Sequence, residues 1–300
     1  MASKQEQKYA LTMDEANIFH EPPSRWRDFL IRLCRNKLAI VGLLIILAIA
    51  FVAIFADQFA PYDPYVTDMK RIAEKPSAEH LLGCDELGRD ILSRLIYGAR
   101  VSLTVGFIAT LISTTLSTSI GLVSAYYGKT TDLVIMRIMD MFMAFPSILL
   151  AIIFMSVFGR GIENAVLAMS IVSVPGGVRM TRSMVLAVKE TDYVQAAKAI
   201  GCKDISIMFR HILPNVAAPI ILGAAMGISG AILTTSALGF LGLGVMPPTA
   251  EWGYMLSTGR SYIFNAPHLI AFPGIAIGTT LLTFNLFGDG LRDALDPRLK

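Results

Sequence analysis

The stretch that decides the fold is LAIVGLLIILAIAFVAIFA, from Leu38 to Ala56, which contains no charged and no strongly polar side chain. A transmembrane helix needs ~20 consecutive apolar residues to cross the hydrocarbon core of a bilayer, so this stretch is long enough to span one. A basic, polar segment of 37 residues precedes it, whereas a cleavable signal peptide places a shorter apolar core near the start of the chain. We therefore predict a retained first transmembrane helix.

The rest of the chain has the same apolar character. Of its 300 residues, 54% are hydrophobic and 16% are charged, against roughly 45–50% and about 25% in soluble domains. Glycine and proline inside apolar blocks do not exclude helices, because neighbouring helices satisfy the freed backbone groups in a membrane. The sequence predicts an all-α membrane protein with six transmembrane helices, the other five lying at about 101–125, 133–158, 162–179, 216–242 and 269–288.

Basic residues near the ends of the spans predict the orientation, because cytoplasmic loops carry an excess of Lys and Arg. Arg25, Arg27, Arg32, Arg35 and Lys37 precede the first span. Both termini are therefore predicted to be cytoplasmic. The predicted order is a cytoplasmic segment 1–37, a first helix 38–56, an extracytoplasmic loop 57–100, a core 101–288 with a cytoplasmic loop at about 189–215, and a cytoplasmic tail 289–300.

The cytoplasmic loop reads KETDYVQAAKAIGCKDISIMFRHILPN from Lys189 to Asn215. It predicts two short helices: Thr191 or Asp192 caps the first, Gly201 takes the left-handed conformation that ends it, and Pro214 stops the second. Helical spacing places Tyr193, Ala196, Ala197 and Ile200 on one small, apolar face. That face suits close approach by a partner, and it equally suits packing beneath the chain's own helices.

The loop also carries a motif. Gln195-Ala196-Ala197, then Gly201, then His211-Ile212-Leu213-Pro214 resembles the loop motif of ABC importer permeases, Glu-Ala-Ala, three residues, Gly, nine residues, Ile-x-Leu-Pro. Both spacings match, although Gln195 replaces the acid and His211 replaces an Ile. The resemblance implies a coupling helix that enters a cleft on an ATP-hydrolysing subunit. The residues assigned to this coupling role are Asp192, Tyr193, Gln195, Ala196, Ala197, Gly201, His211, Leu213 and Pro214.

Three more segments narrow the resemblance. The stretches His80–Leu103, Leu238–Leu256 and Gly288–Lys300 are similar to the C-type permease of dipeptide, oligopeptide and nickel importers. This resemblance covers nearly the whole chain. It implies a type I importer permease core with an additional N-terminal helix, placed in a bacterial or archaeal cell membrane. Peptides are the favoured solute because the spans contain no metal-binding pattern, and nickel or another small solute is the alternative.

The same resemblance implies the partners and cofactors. They are a homologous second permease, two ATP-binding subunits that hold ATP and Mg²⁺, a solute-binding protein, and the lipid bilayer, with no nucleic acid. We expect no cofactor, metal or catalytic residue in this chain. Gly128-Lys129-Thr130 looks like the end of a phosphate-binding loop, but that motif needs a glycine at position 123, where the chain has Val123.

Two other function classes compete with the importer. An intramembrane protease needs a nucleophile-base pair or metal ligands at membrane depth, and no histidine lies in an apolar block. An ion-driven secondary transporter is expected to show acidic residues in mid-span and often an internal repeat. Neither feature is evident.

Charged residues and glycines inside the predicted spans suggest sites of ion pairing, gating and helix packing. Arg137 and Asp140 lie three positions apart on one helix face, which predicts a structural ion pair or, alternatively, a gate. Gly223-x-x-x-Gly227 and Gly274-x-x-x-Gly278 are typical of close helix packing, within the chain or against a second permease. Direct contact with the solute is the other interpretation of these glycines.

Overall fold

The structure is a computed structural model that describes residues 31–245 and 247–295. These residues form helices joined by turns, with no β-strand among them. The all-α prediction is therefore confirmed, while most of the predicted N-terminal segment and residues 296–300 lie outside the described ranges. The helices are α1 Lys37–Ile54, α2 Ala56–Phe59, α3 Ile91–Tyr127, α4 Lys129–Met143, α5 Ser147–Phe158, α6 Ile162–Lys189, α7 Asp192–Ala199, α8 Asp204–Phe240, α9 Trp252–Gly259 and α10 His268–Leu295.

The predicted count of six spans is not reproduced in full. In the described part of the chain, α1, α3, α8 and α10 are long and apolar enough to cross a membrane, and α4 with α5 makes a fifth if this bent pair counts as one span. The pair turns by 90° at a short break, where Pro146 precedes the first residue of α5. Helix α6 has 28 residues but is not among these candidate spans, and it carries Glu163, Arg179, Arg182 and Lys189.

Several helix boundaries differ from the predicted ones, and two of these differences redefine the long loop and the tail. Helix α3 begins at Ile91 instead of 101, because the carboxylate of Asp90 caps it and accepts a hydrogen bond of 2.7 Å from the backbone N–H of Ser93. The loop before it is thus residues 57–90, which we call the 57–90 lobe. At the other end of the chain, α10 continues through Gly288 to Leu295, so the predicted tail is partly helical.

Small residues bring the main helices together. A Cβ on Gly121 of α3 would lie 2.8 Å from Cβ of Thr181 on α6, and one on Gly177 of α6 would lie 2.5 Å from Oγ of Ser117 on α3. Helix α1 packs on α10 in the same way, since a Cβ on Gly290 would meet Ala39. Close backbone approach of this kind is how helices associate in a lipid environment.

The 57–90 lobe is fixed by buried charge. Arg94, 1% exposed, donates to the carbonyl of Pro64 at 3.1 Å, and its Nε lies 3.1 Å from Oδ2 of Asp85. Nε of Arg89 donates to the same oxygen at 2.7 Å. Cys84 is fully buried beside these groups, and burial raises the pKa of its thiol to about 11, so the thiol stays neutral and acts as packing.

Candidate coupling loop and transmembrane cavities

Helix α7 ends as the sequence predicts. Gly201 has φ +78°, its N–H donates to the carbonyl of Lys198 at 3.0 Å, and the N–H of Cys202 donates to the carbonyl of Ala197 at 3.1 Å. These two bonds form a Schellman motif. At the other end Thr191 occupies the N-cap position, but its hydroxyl donates to the carbonyl of Val188 at 2.6 Å instead of capping the helix.

The predicted face of α7 is split in two. Val194 and Ala197 are buried, in a cluster with side chains of α3, α6 and α8, whereas Tyr193, Ala196 and Ile200 are exposed. Ala197 is therefore a contact with the chain's own helices and does not share the outward surface. Spacing alone did not separate these rows, because both are apolar and lie side by side on a short helix.

The predicted end of the second loop helix is wrong. Helix α8 starts at Asp204 and passes Pro214 without ending, through a π-helical segment at Ile207–Ile212 that contains His211. Pro214 follows as one of the first residues of the α-helical part, where a missing N–H is tolerated. The side-chain amide of Asn215 donates to the carbonyl of His211 at 2.7 Å. The loop is thus continuous with a long helix of the bundle, beginning in a π-turn of a kind often found at functional sites.

Polar contacts attach the loop to the ends of α3 and α6. Tyr126 donates its hydroxyl to Oδ1 of Asp204 at 2.6 Å, and Lys189 donates to the carbonyl of Ala125 at 3.1 Å. The amide of Gln195 donates to the carbonyl of Lys189 at 3.0 Å. An ionised Glu at position 195 has no proton to donate, so the departure from the acidic motif residue has a local structural role here.

The outward side of the loop exposes apolar side chains among charged ones. Tyr193, Ala196, Ile200 and Ile205 are all exposed, Ile200 by 80%, and we call these four residues the coupling face. Exposed apolar groups on a polar loop are typical of a protein-binding surface. Ile205 was missed by sequence reasoning, although an isolated large apolar residue in a charged turn was the available signal.

The ion pair predicted between Arg137 and Asp140 is replaced by two pairs that join α4 to α6. Asp140 accepts from Arg179 at 2.6 Å. One turn further along α6 and about two turns back along α4, Arg182 donates to both carboxylate oxygens of Asp132 at 2.5 and 2.6 Å. The partners lie on different helices, so spacing within one helix could not reveal them.

Three adjoining cavities of about 570, 210 and 410 Å³ lie along α8: the first against α3, the second against α3 and α6, and the third against α4, α5 and α6. The first is mostly apolar, and the second is lined largely by hydroxyls and by bare backbone. The third combines hydroxyls and bare backbone with large apolar side chains such as Phe142, Phe145 and Met169. In the described part of the chain, no charged side chain lines any of them. Three hydroxyl residues and three glycines line the second and third cavities: Ser117, Thr118, Ser173, Gly176, Gly227 and Gly230.

The opposite end of the bundle carries α9 and a buried acid. Trp252 donates its indole N–H to the carbonyl of Leu95 at 3.0 Å. Glu251 is fully buried and caps α9, accepting from the N–H groups of Gly253 and Tyr254 at 2.8 and 2.7 Å. Burial raises the pKa of Glu251 to about 7, against the lowering effect of these two bonds.

Comparison with known proteins adds the following findings. Residues 117–300 match the family described as "Binding-protein-dependent transport system inner membrane component", and residues 24–76 match the "N-terminal TM domain of oligopeptide transport permease C". The chain is 48% identical to the dipeptide transport system permease protein DppC of Alkalihalophilus pseudofirmus, covering 92% of this chain and 91% of that one. It is 43% identical to DppC of Haemophilus influenzae, covering 96% and 100%.

Other similar proteins carry other names. The glutathione transport system permease protein GsiD of Pectobacterium atrosepticum is 44% identical, with 92% of each chain covered. Among solved structures, the inward-facing MetNI methionine ABC transporter matches 69% of this chain and 98% of that chain, with a TM-score of 0.57 and 16% identity. At that identity the structural match concerns the fold alone.

Proposed function

The chain belongs to the family of inner membrane components of binding-protein-dependent transport systems, and we propose that it is a permease subunit of an ATP-driven importer for dipeptides and longer peptides. The observation that carries the proposal is similarity over nine-tenths or more of both chains to two proteins named as dipeptide permeases. Similarity of that extent includes the coupling loop, the cavities and the 57–90 lobe together.

In this proposal the coupling face is where the ATP-binding partner transmits its conformational change to the chain. Tyr193, Ala196, Ile200 and Ile205 dock in a cleft of an ATP-binding partner, which holds the ATP and Mg²⁺. Asp192 lies in the first turn of α7, where an acidic side chain stabilises a helix. The turn at Gly201 ends the helix, and together they fix the length of the coupling face. The basic residues around the loop support a cytoplasmic location for it, and both termini then lie on the same side.

Movement of the docked helix reaches the cavities because the loop is rigidly attached. The buried pair Val194 and Ala197 packs against α3, α6 and α8, and the Tyr126–Asp204 hydrogen bond ties the loop to the end of α3. Helices α3, α6 and α8 also line the second cavity, and α8 lines all three. A partner that favours one of two arrangements of the loop therefore favours one of two arrangements of the path.

A second permease completes the path in this proposal. The cavities of this chain are open on one side, and a homologous subunit is the simplest closure. A solute-binding protein delivers peptide at the end of the bundle that carries the 57–90 lobe and α9.

The proposal is tested by reconstituting the chain with the second permease, the ATPase subunits and the binding protein in liposomes. We expect ATP-dependent uptake of dipeptides and longer peptides, measured with labelled substrates. Uptake of nickel alone would overturn the peptide assignment. Uptake driven by an ion gradient without the ATPase subunits would overturn the importer assignment as well.

A further inference from the structure

Three glycines in the middle of long helices, Gly176, Gly230 and Gly278, have no packing reason among the described residues. A Cβ built on Gly176 of α6 or on Gly230 of α8 would meet no described atom within 4 Å. By contrast, Gly121 and Gly177 permit tight helix contacts. A glycine in a helix interior costs about 1 kcal/mol relative to alanine. Gly176 and Gly230 therefore leave bare backbone open to a group from outside the chain, and they differ from Gly278 in lining a cavity.

Gly176 and Gly230 both face the third cavity. They line the third cavity with Ser173 and Gly227, and Ser173, Gly176 and Gly227 also line the second. We call the surface formed by Ser117, Thr118, Ser173, Gly176, Gly227 and Gly230 the hydroxyl–glycine groove.

The groove has unused hydrogen-bonding capacity. Oγ1 of Thr118 is enclosed and has no hydrogen-bond partner among the described residues. Ser117 donates to the carbonyl of Thr114 at 3.2 Å and Ser173 donates to the carbonyl of Met169 at 2.9 Å, which leaves the lone pairs of both hydroxyls available as acceptors. Pro175, which lines the third cavity, has no N–H to bond with the carbonyl one turn earlier.

These features fit a solute better than a lipid or a partner helix. Exposed positions elsewhere on the long helices carry large apolar side chains such as Leu44, Leu47 and Ile275, which suit lipid. A groove with free acceptors, one free hydroxyl and no charged group matches a chain that carries its own N–H and C=O groups. An extended peptide is such a chain, and glycine permits its closest approach.

Building on the proposed function, we propose that the hydroxyl–glycine groove is this chain's part of the solute path and that it recognises the main chain of an extended peptide. Ser117, Thr118 and Ser173 replace water around the peptide groups. Gly176, Gly227 and Gly230 leave room for the backbone. Because the lining carries no charged side chain, it does not discriminate between peptides by the charge of their side chains. The path therefore serves peptides of different sequence.

The test compares two glycines that are equally free of steric contact within the chain. Gly230→Leu fills the groove, whereas Gly278→Leu changes a glycine of α10 whose Cβ also meets nothing within 4 Å and which does not line the groove. Leucine favours helix over glycine at both positions. In the reconstituted importer we expect Gly230→Leu to lower peptide uptake about tenfold or more, and Gly278→Leu to stay within about twofold of the original protein.

Two further measurements, of subunit assembly and of uptake as a function of peptide charge, distinguish a solute path from a subunit interface and test main-chain recognition. We expect the Gly230→Leu complex to retain its second permease and its ATPase activity, and uptake of neutral, acidic and basic tripeptides to fall by the same factor. Loss of the second permease would mean that the groove is a subunit interface, and a charge-dependent loss would refute main-chain recognition. Equal uptake by the two variants would remove the groove from the path.

A second variant keeps the shape and removes a hydroxyl. Thr118→Val should lower uptake severalfold for all three classes of tripeptide without changing assembly, and unchanged uptake would refute a role for this hydroxyl. If the original complex imports no peptide and imports another solute, the proposed function fails. The same pair of glycine variants, measured with that solute, then still decides whether the groove lies on the path.

Discussion

The 57–90 lobe and the coupling loop lie at opposite ends of the bundle and are stabilised by different chemistry. The lobe is held by buried ions, with Arg94 and Arg89 both directed at Asp85. The loop is held by an apolar cluster around Val194 and Ala197 and leaves its other side exposed. A region without regular helices must satisfy its backbone and charges internally, whereas a short helix on a firm base can offer a free surface to a partner.

The largest effect is expected from a variant that breaks the buried ion pairs of the lobe. Arg94→Ala leaves Asp85 with one fewer buried cation and frees the carbonyl of Pro64, and losing one partner of a buried pair costs about 3–5 kcal/mol. We expect a lower unfolding temperature in detergent and faster labelling of Cys84, followed by mass spectrometry of its peptide. The control is Asp57→Ala, which removes only the exposed side of the pair with Arg100, a pair worth about 0–1 kcal/mol; equal effects of the two variants would contradict the buried network.

The stability of the bundle end that carries the 57–90 lobe and α9 should also depend on pH, through Glu251. The pKa of Glu251 is raised to about 7 from 4.5, so the folded protein holds this proton more tightly than the unfolded chain does. Stability is therefore lost as the pH rises from about 4.5 to about 7, by an amount on the order of 3 kcal/mol. Unfolding temperatures measured between pH 5 and 8 should fall more steeply in the original protein than in Glu251→Gln, and parallel curves would argue against the raised pKa.

Two neighbouring alanines separate attachment from docking in the loop. Ala197→Trp overpacks the buried side and should destabilise the protein by about 1–3 kcal/mol, which is measured as a lower unfolding temperature. Ala196→Trp changes only the coupling face, so we expect normal stability and weakened co-purification of the ATPase subunit. If Ala196→Trp left that association intact, the coupling face would be assigned to the wrong surface.

The smallest expected effect concerns the turn after α7. Gly201 has a positive φ and nothing near its Cβ position, so Gly201→Ala introduces backbone strain without a clash, at a cost of about 1–2 kcal/mol. Faster hydrogen exchange should be confined to α7 and the turn after it. Gly278→Ala is the control, because that glycine has a helical conformation and an equally open Cβ position; faster exchange there would show that the assay does not report turn strain.

Several features of the fold and of the coupling loop were predictable because they depend on local patterns. The apolar run before Ala56, the left-handed Gly201 and the motif from Gln195 to Pro214 can each be recognised from adjacent residues. The features that were mispredicted depend on contacts between distant segments. Ala197 was assigned to the outward surface because its burial depends on α3 and α8, and Asp140 was paired with Arg137 because Arg179 lies on another helix.

The sequence by itself determined that this chain is helical, membrane-embedded and equipped with the loop motif of its family, because apolar length, helix-ending residues and motif spacing are properties of contiguous residues. Only the tertiary structure decided which side of α7 is free, where the ion pairs form and that Gly176 and Gly230 face a common groove. Those properties depend on how α3, α4, α6 and α8 pack together. Packing between residues far apart in the chain is set by three-dimensional shape, which a single sequence does not display.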